Sequence, residues 1–175
     1  MRKQKTDIYY AILTNAAHLV VCFVCYLLRV FDLYGVKSIQ IVVLIVDLLI
    51  WIASGVLCAL GKNDNNYNKG ALFALYTLLP IAIVTSVAAI IGSSVESSIS
   101  WGSFFFIGSI VNFWNRPFIA ISGLVQNNAY LFFFTVLVIL YAIIFVTYYN
   151  GVKLNRTKRR RRNRQKKEET LSNKT

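Results

Sequence analysis

Asn15, His18, Cys22, Cys25 and Arg29 are spaced three, four, three and four residues apart. A helix of 3.6 residues per turn puts all five on one face. A second polar stripe follows in Gln40, Asp47, Trp51, Ser54 and Cys58, spaced seven, four, three and four. Both stripes run through strongly apolar sequence, where an ionisable side chain is costly and marks a functional site together with its partner. Imidazole changes charge between pH 5 and 8, so a His18–Asp47 pair with Cys22 beside it could hold or release a proton along a path or gate. The same contact could act only as a hydrogen bond between helices, worth roughly 0.6 kcal/mol in membrane proteins.

His18 and Cys25 lie seven apart on that face, a spacing that could bring a base towards a thiolate. In residue types and spacing the pair is similar to the His and Cys of the accessory-gene-regulator membrane peptidases. Here it stands in the first apolar segment without a third orienting group, and a membrane-embedded Cys/His peptidase is a remote alternative. One His and deeply buried thiols are too few ligands for a metal site. The three cysteines all fall in apolar segments and imply no disulfide framework. Neither a cofactor nor a catalytic set is expected.

The elements that must position these residues follow from composition. Of 175 residues, 57% are hydrophobic and 15% charged, against about 25% charged in soluble domains. The net charge of +12 is concentrated at one end, since residues 151–175 hold eleven basic and two acidic side chains. A disordered protein, a disulfide-rich secreted domain and an ordinary soluble enzyme are excluded. A membrane span needs about 20 apolar residues, and four windows qualify: 8–28, 41–60, 71–92 and 129–149. The expected fold is an all-α integral membrane protein, a four-helix transmembrane bundle over residues 1–150 with a polybasic tail over 151–175.

Residues 101–125 are apolar too, but Asn112, Asn115, Arg116 and Pro117 interrupt them. Arg at a helix centre costs about 2.5–3.5 kcal/mol on insertion scales, and Pro removes a backbone bond. Basic residues gather on the cytoplasmic side of membranes. Four spans with both ends inside place sixteen basic residues within and three outside; five spans place thirteen and five. Four spans therefore prevail, and 101–125 becomes an outer segment that dips into the membrane or lies along it. If it re-enters, Arg116, Asn112 and Asn115 would contact an anionic group. On this topology Tyr9, Tyr10, Tyr148 and Tyr149 anchor the inner boundary, and Tyr34, Trp101 and Tyr130 the outer one.

Depths along the spans can be compared. His18 lies about 15 Å from the inner start of the first span and Asp47 about 20 Å from the inner end of the second. Across antiparallel neighbours that offset is within side-chain reach, so Asp47 is expected to face His18 or Cys22. The third span carries a small-residue line, Ala74, Thr77, Thr85, Ala88 and Gly92, suited to close helix packing, and Pro80 inside it. The fourth, with Phe132, Phe133, Phe134 and Phe145, is expected to face lipid or a partner.

Lys153, Arg156, Lys158, Arg159, Arg160, Arg161, Arg162, Arg164, Lys166 and Lys167 follow the fourth span with almost no apolar residue among them. Self-repulsion predicts a disordered tail in isolation. Beside an anionic leaflet each basic residue contributes about 1 kcal/mol, so contact with anionic lipid is expected. No aromatic residue interleaves the run to stack on bases, which disfavours nucleic acid. The functional expectation is a small multi-pass plasma-membrane protein, with both termini cytoplasmic, acting as an accessory or assembly subunit. The alternative is an oligomeric channel or transport component using the Asp/His pair. Further partners would be the bilayer, a second copy of the chain or a larger membrane protein.

Overall fold

The computed structural model describes residues 2–60, 68–94, 107–125 and 129–172. They form α1 (Arg2–Val30), a 3-10 turn (Leu33–Gly35), α2 (Lys37–Leu60), α3 (Asn68–Ser94), α4 (Ile107–Trp114), a 3-10 segment (Arg116–Val125) and α5 (Ala129–Ser172). The protein is an all-α membrane bundle. Four helices are long and apolar enough to cross a membrane, within Asp7–Val30, Lys37–Leu60, Lys69–Ile90 and Tyr130–Gln165. Ile12, Val42, Ile90 and Val138 are among many large apolar side chains left exposed on their outer faces. Such faces suit hydrocarbon, with backbone polar groups satisfied inside each helix.

The connection from α1 to α2 is tight. Arg29 sits in the last turn of α1, where a cation complements the helix dipole. Asp32 then takes the left-handed conformation at φ 56°, which short polar side chains such as Asp tolerate. Val36 N–H closes the 3-10 turn on the Leu33 carbonyl at 3.3 Å, and α2 runs back antiparallel to α1.

The fourth span departs in part from its expected place, since Phe134 and Phe145 are exposed but Phe132 and Phe133 are not. Phe132, Phe133, Val136, Leu140, Ile144, Tyr148 and Val152 form a continuous buried stripe along α5, and the helix packs most extensively on α2 and α3. The sequence shows many phenylalanines and few small residues there, which reads as a lipid face. The small residues that admit α5 lie mainly on its partners. A Cβ on Gly55 of α2 would strike the Thr147 hydroxyl and lie 2.8 Å from the Ile144 carbonyl. On α5 itself, a Cβ on Gly151 would come within 2.7 Å of the Ala59 methyl. On α3, one on Gly70 would meet the Tyr148 ring at 2.6 Å. The small-residue line of α3 packs inward as expected: Ala74, Thr77, Thr85 and Ala88 are buried, whereas Pro80 is exposed within the helix.

Two aromatic anchors are reassigned by burial. Tyr148 is fully buried against Gly70 and Phe73, and Tyr34 is buried in a small cluster with Val21, Cys25 and Val43. Trp101 lies outside the described residues. The tail also departs from expectation, because α5 continues as one helix to Ser172. From residue 152 to 172 there is no Gly or Pro, and Leu, Arg, Lys, Gln and Glu are good helix formers. The membrane-spanning part supplies the nucleus, so each added residue gains a hydrogen bond without a new nucleation cost. At 1.5 Å per residue the 44-residue helix is about 66 Å long, about twice the hydrocarbon thickness.

Gly55→Ala is expected to cost about 1–3 kcal/mol through overpacking against α5, read as a lower unfolding midpoint in detergent. Gly35→Ala, where a Cβ meets nothing within 4 Å, should change stability by less than about 0.5 kcal/mol.

Candidate functional site

His18 is fully buried where α1, α2 and the end of α4 meet, and both ring nitrogens are engaged. Nδ1 lies 2.8 Å from Asp47 Oδ1. Nε2 lies 2.9 Å from the backbone carbonyl of Trp114. A carbonyl only accepts, so Nε2 carries a proton. The second proton of the pair lies between Nδ1 and Oδ1 whichever atom holds it, and the pair as a whole is neutral. Asp47, equally buried, accepts a further bond through Oδ2 from the Trp51 indole at 3.0 Å. The walls are aromatic: Trp51, Trp114 and Phe118 rings lie 5.3, 4.4 and 5.9 Å from the imidazole, centre to centre.

The Trp114 carbonyl is available for a local reason. In a continuing helix it would accept from the residues three or four positions on. Position 117 is Pro, which has no N–H, and Phe118 N–H turns instead to the Asn115 carbonyl at 3.0 Å. The proline that ends α4 thus frees the acceptor that the imidazole uses. Residues 111–118 are thereby carried to the level of His18, deep among the helices, and Val111, Trp114, Asn115 and Phe118 are buried there.

The contact expected from helix depth, Asp47 with His18, is present. Cys22 joins it, with Sγ 3.3 Å from His18 Nε2 and 3.5 Å from the Trp114 carbonyl, to which the thiol can donate. Cys25 does not join. It packs with Tyr34 and Val43, so the base–thiolate arrangement of a Cys/His peptidase is not assembled around it. Cys22 is closer, but the nitrogen facing it already carries a proton. Asn15 ties α1 to α3 by donating to the Thr77 carbonyl at 3.0 Å, and Thr14 and Ser54 hydrogen-bond across the α1–α2 interface.

Arg116, Asn112 and Asn115 line one cavity of about 650 Å³ at the end of the bundle that carries the α1–α2 connection. Arg29, Asp32 and Tyr34 share its walls, with Ile119 and Phe132 as apolar lining. Tyr34 donates its hydroxyl to the Arg116 carbonyl at 2.6 Å, and Gln40 donates to the Tyr34 carbonyl at 2.9 Å. Burial pushes the Tyr34 hydroxyl well above its ordinary value, and the neighbouring Cys25 adds to the effect. Burial, and then the charge of Arg29, push the Arg116 guanidinium below its ordinary value. Arg29 was legible as the end of the first polar stripe; its convergence with Arg116 was not. Nor was the role of Asp32, which has no periodic neighbour in sequence.

The tail residues do not share a face. Lys153, Lys158, Arg160, Arg161, Arg162 and Arg164 are exposed around α5, while Arg156 and Arg159 are half-buried. Lys166 and Lys167 lie on the same helix, their side chains outside the described set. Comparison with protein-family models, curated proteins and solved structures finds no match.

Asp47→Ala leaves His18 Nδ1 and the Trp51 indole N–H buried without partners, at about 1–3 kcal/mol each. It should lower the unfolding midpoint strongly in detergent, and a loss under about 1 kcal/mol would contradict a fully desolvated pair. Tyr34→Phe should cost about 1 kcal/mol at neutral pH. Because the folded-state value of this phenol is raised, its contribution is complete below the ordinary value of 10.0 and is lost as pH climbs beyond it. The alkaline limb of a stability–pH curve should be shallower in Tyr34→Phe than in wild type.

Proposed function

We propose that this small polytopic membrane protein is an accessory or assembly subunit of a membrane complex, and that its His–Asp pair is a structural latch instead of a conducting step. One observation carries the reading: His18 and Asp47 are fully buried with every ring nitrogen and carboxylate oxygen engaged. A proton path needs groups that water or a neighbouring carrier can reach, whereas this pair is closed by Trp51, Trp114 and Phe118. The latch holds α1, α2 and the outer segment in one register. Four helices also enclose little volume, so a permeation path would need further subunits.

In this reading both termini face the cytoplasm across the plasma membrane, following the excess of basic residues on that side. The basic part of α5 extends into the cytoplasm and meets anionic lipid of the inner leaflet, where each Lys or Arg contributes about 1 kcal/mol. Transport through the Asp47 level is the reading it displaces.

Purification of the full chain in mild detergent, with mass analysis of co-eluting species, tests it. A larger membrane protein at fixed stoichiometry is the expected result. A homo-oligomer that conducts ions or protons in planar bilayers, with flux altered by Asp47→Asn at matched folded amounts, would overturn it.

A further inference from the structure

Two guanidinium groups, Arg29 from the last turn of α1 and Arg116 from the start of the outer 3-10 segment, line a single cavity. Among the described residues neither has an acidic partner within ion-pairing distance, and the nearest carboxylate in sequence, Asp32, pairs with neither. Arg116 Nε is itself buried and has no hydrogen-bond partner, and the same holds for Oδ1 of Asn115, a residue only 3% exposed. Two like charges are held against one cavity with donor and acceptor atoms unsatisfied. Leaving a buried polar group unpaired is destabilising, and a ligand that supplies the missing partners removes that penalty.

The needs of the cavity are mixed. Two guanidinium groups call for a phosphate, whose oxygens accept paired N–H bonds. The Asp32 carboxylate and the Asn115 oxygen call for a donor of positive charge. Ile119 and Phe132 offer apolar surface beside them. The volume of about 650 Å³ falls within the usual range for small-molecule sites. The cavity stands at the ends of α1 and α2, the level at which a spanning helix meets headgroups. We propose that this cavity binds the zwitterionic headgroup of an aminophospholipid. The phosphate lies between Arg29 and Arg116, the ammonium reaches Asp32 and Asn115 Oδ1, and the upper acyl region rests on Ile119 and Phe132. This inference is independent of the accessory-subunit reading.

The full chain in detergent, delipidated and then titrated with defined lipids, tests this by native mass spectrometry and thermal shift. Four probes are used: an ethanolamine phospholipid, a glycerol phospholipid, a choline phospholipid and inorganic phosphate. The ethanolamine lipid should bind tightest, because its ammonium can donate hydrogen bonds and the choline group cannot. Arg29→Gln and Arg116→Gln should each weaken it at least tenfold. Asp32→Asn keeps a side chain that accepts the left-handed backbone, and should abolish the preference for ethanolamine over glycerol while phosphate contact remains. The polybasic part of α5 is unchanged in every variant, so any binding it contributes is common to all. Arg29 is exposed, which keeps the test decisive if Arg116→Gln fails to fold. Unaltered ethanolamine-lipid binding in Arg29→Gln would overturn the proposal, as would equal binding of all three lipids by wild type. Stabilisation by millimolar inorganic phosphate equal to that by lipid would overturn the lipid as the source of the phosphate.

Discussion

A carboxylate and an imidazole buried together in an apolar bundle set a condition on everything around them. Neither can be left with an open hydrogen-bonding atom, because water is not there to fill it. Asp47 and His18 satisfy each other through one oxygen and one nitrogen. The remaining oxygen is met by Trp51 one turn along α2. The remaining nitrogen needs an acceptor, and most helix carbonyls in hydrocarbon are already engaged in their own ladders. The chain meets this need by breaking a helix. Pro117 ends α4, the Trp114 carbonyl is released, and the segment around it is drawn in to deliver it. The irregular backbone is thus a consequence of the buried pair as much as a support for it.

The closeness of α2 and α5 rests on small residues, and Gly55, Ala59 and Gly151 allow the backbones to approach. Dispersion contacts that are individually small then accumulate along the buried stripe of α5. Without a hydrophobic force between helices in lipid, such contact is what association rests on. The Gly70–Tyr148 contact does the same for α3.

Charge is distributed in contrast to this dry centre. Basic residues encircle the far part of α5 instead of forming a stripe, so that part of the helix has no apolar face to bury and stands clear of the bundle. At the other end, Arg29 and Arg116 are held near each other by the α1–α2 turn and by the Tyr34 hydroxyl bond to the Arg116 carbonyl. The long helix and the basic cavity both carry positive charge, and in the cavity it stands beside the buried, unpaired Asn115 Oδ1 and Arg116 Nε.

Much of this was legible in the residues alone. Four runs of about twenty apolar residues determine four spans because hydrocarbon thickness sets their length. The two polar stripes and their depths determine that Asp47 meets His18, since helical rise and period are local properties. Local chemistry also places the end of α4 at Pro117. Cys22 sits by the imidazole and Cys25 does not, because four residues return to the same face one turn on, whereas seven carry the thiol about 10 Å along the axis. Two features were decided only by tertiary structure. Phe132 and Phe133 of the fourth span pack into the bundle while Phe134 and Phe145 stay exposed, because the glycines that receive the helix lie mostly on its neighbours. Arg29, Asp32 and Arg116 share one cavity because the chain returns over some eighty residues to the same end of the bundle, and no periodicity encodes such a return.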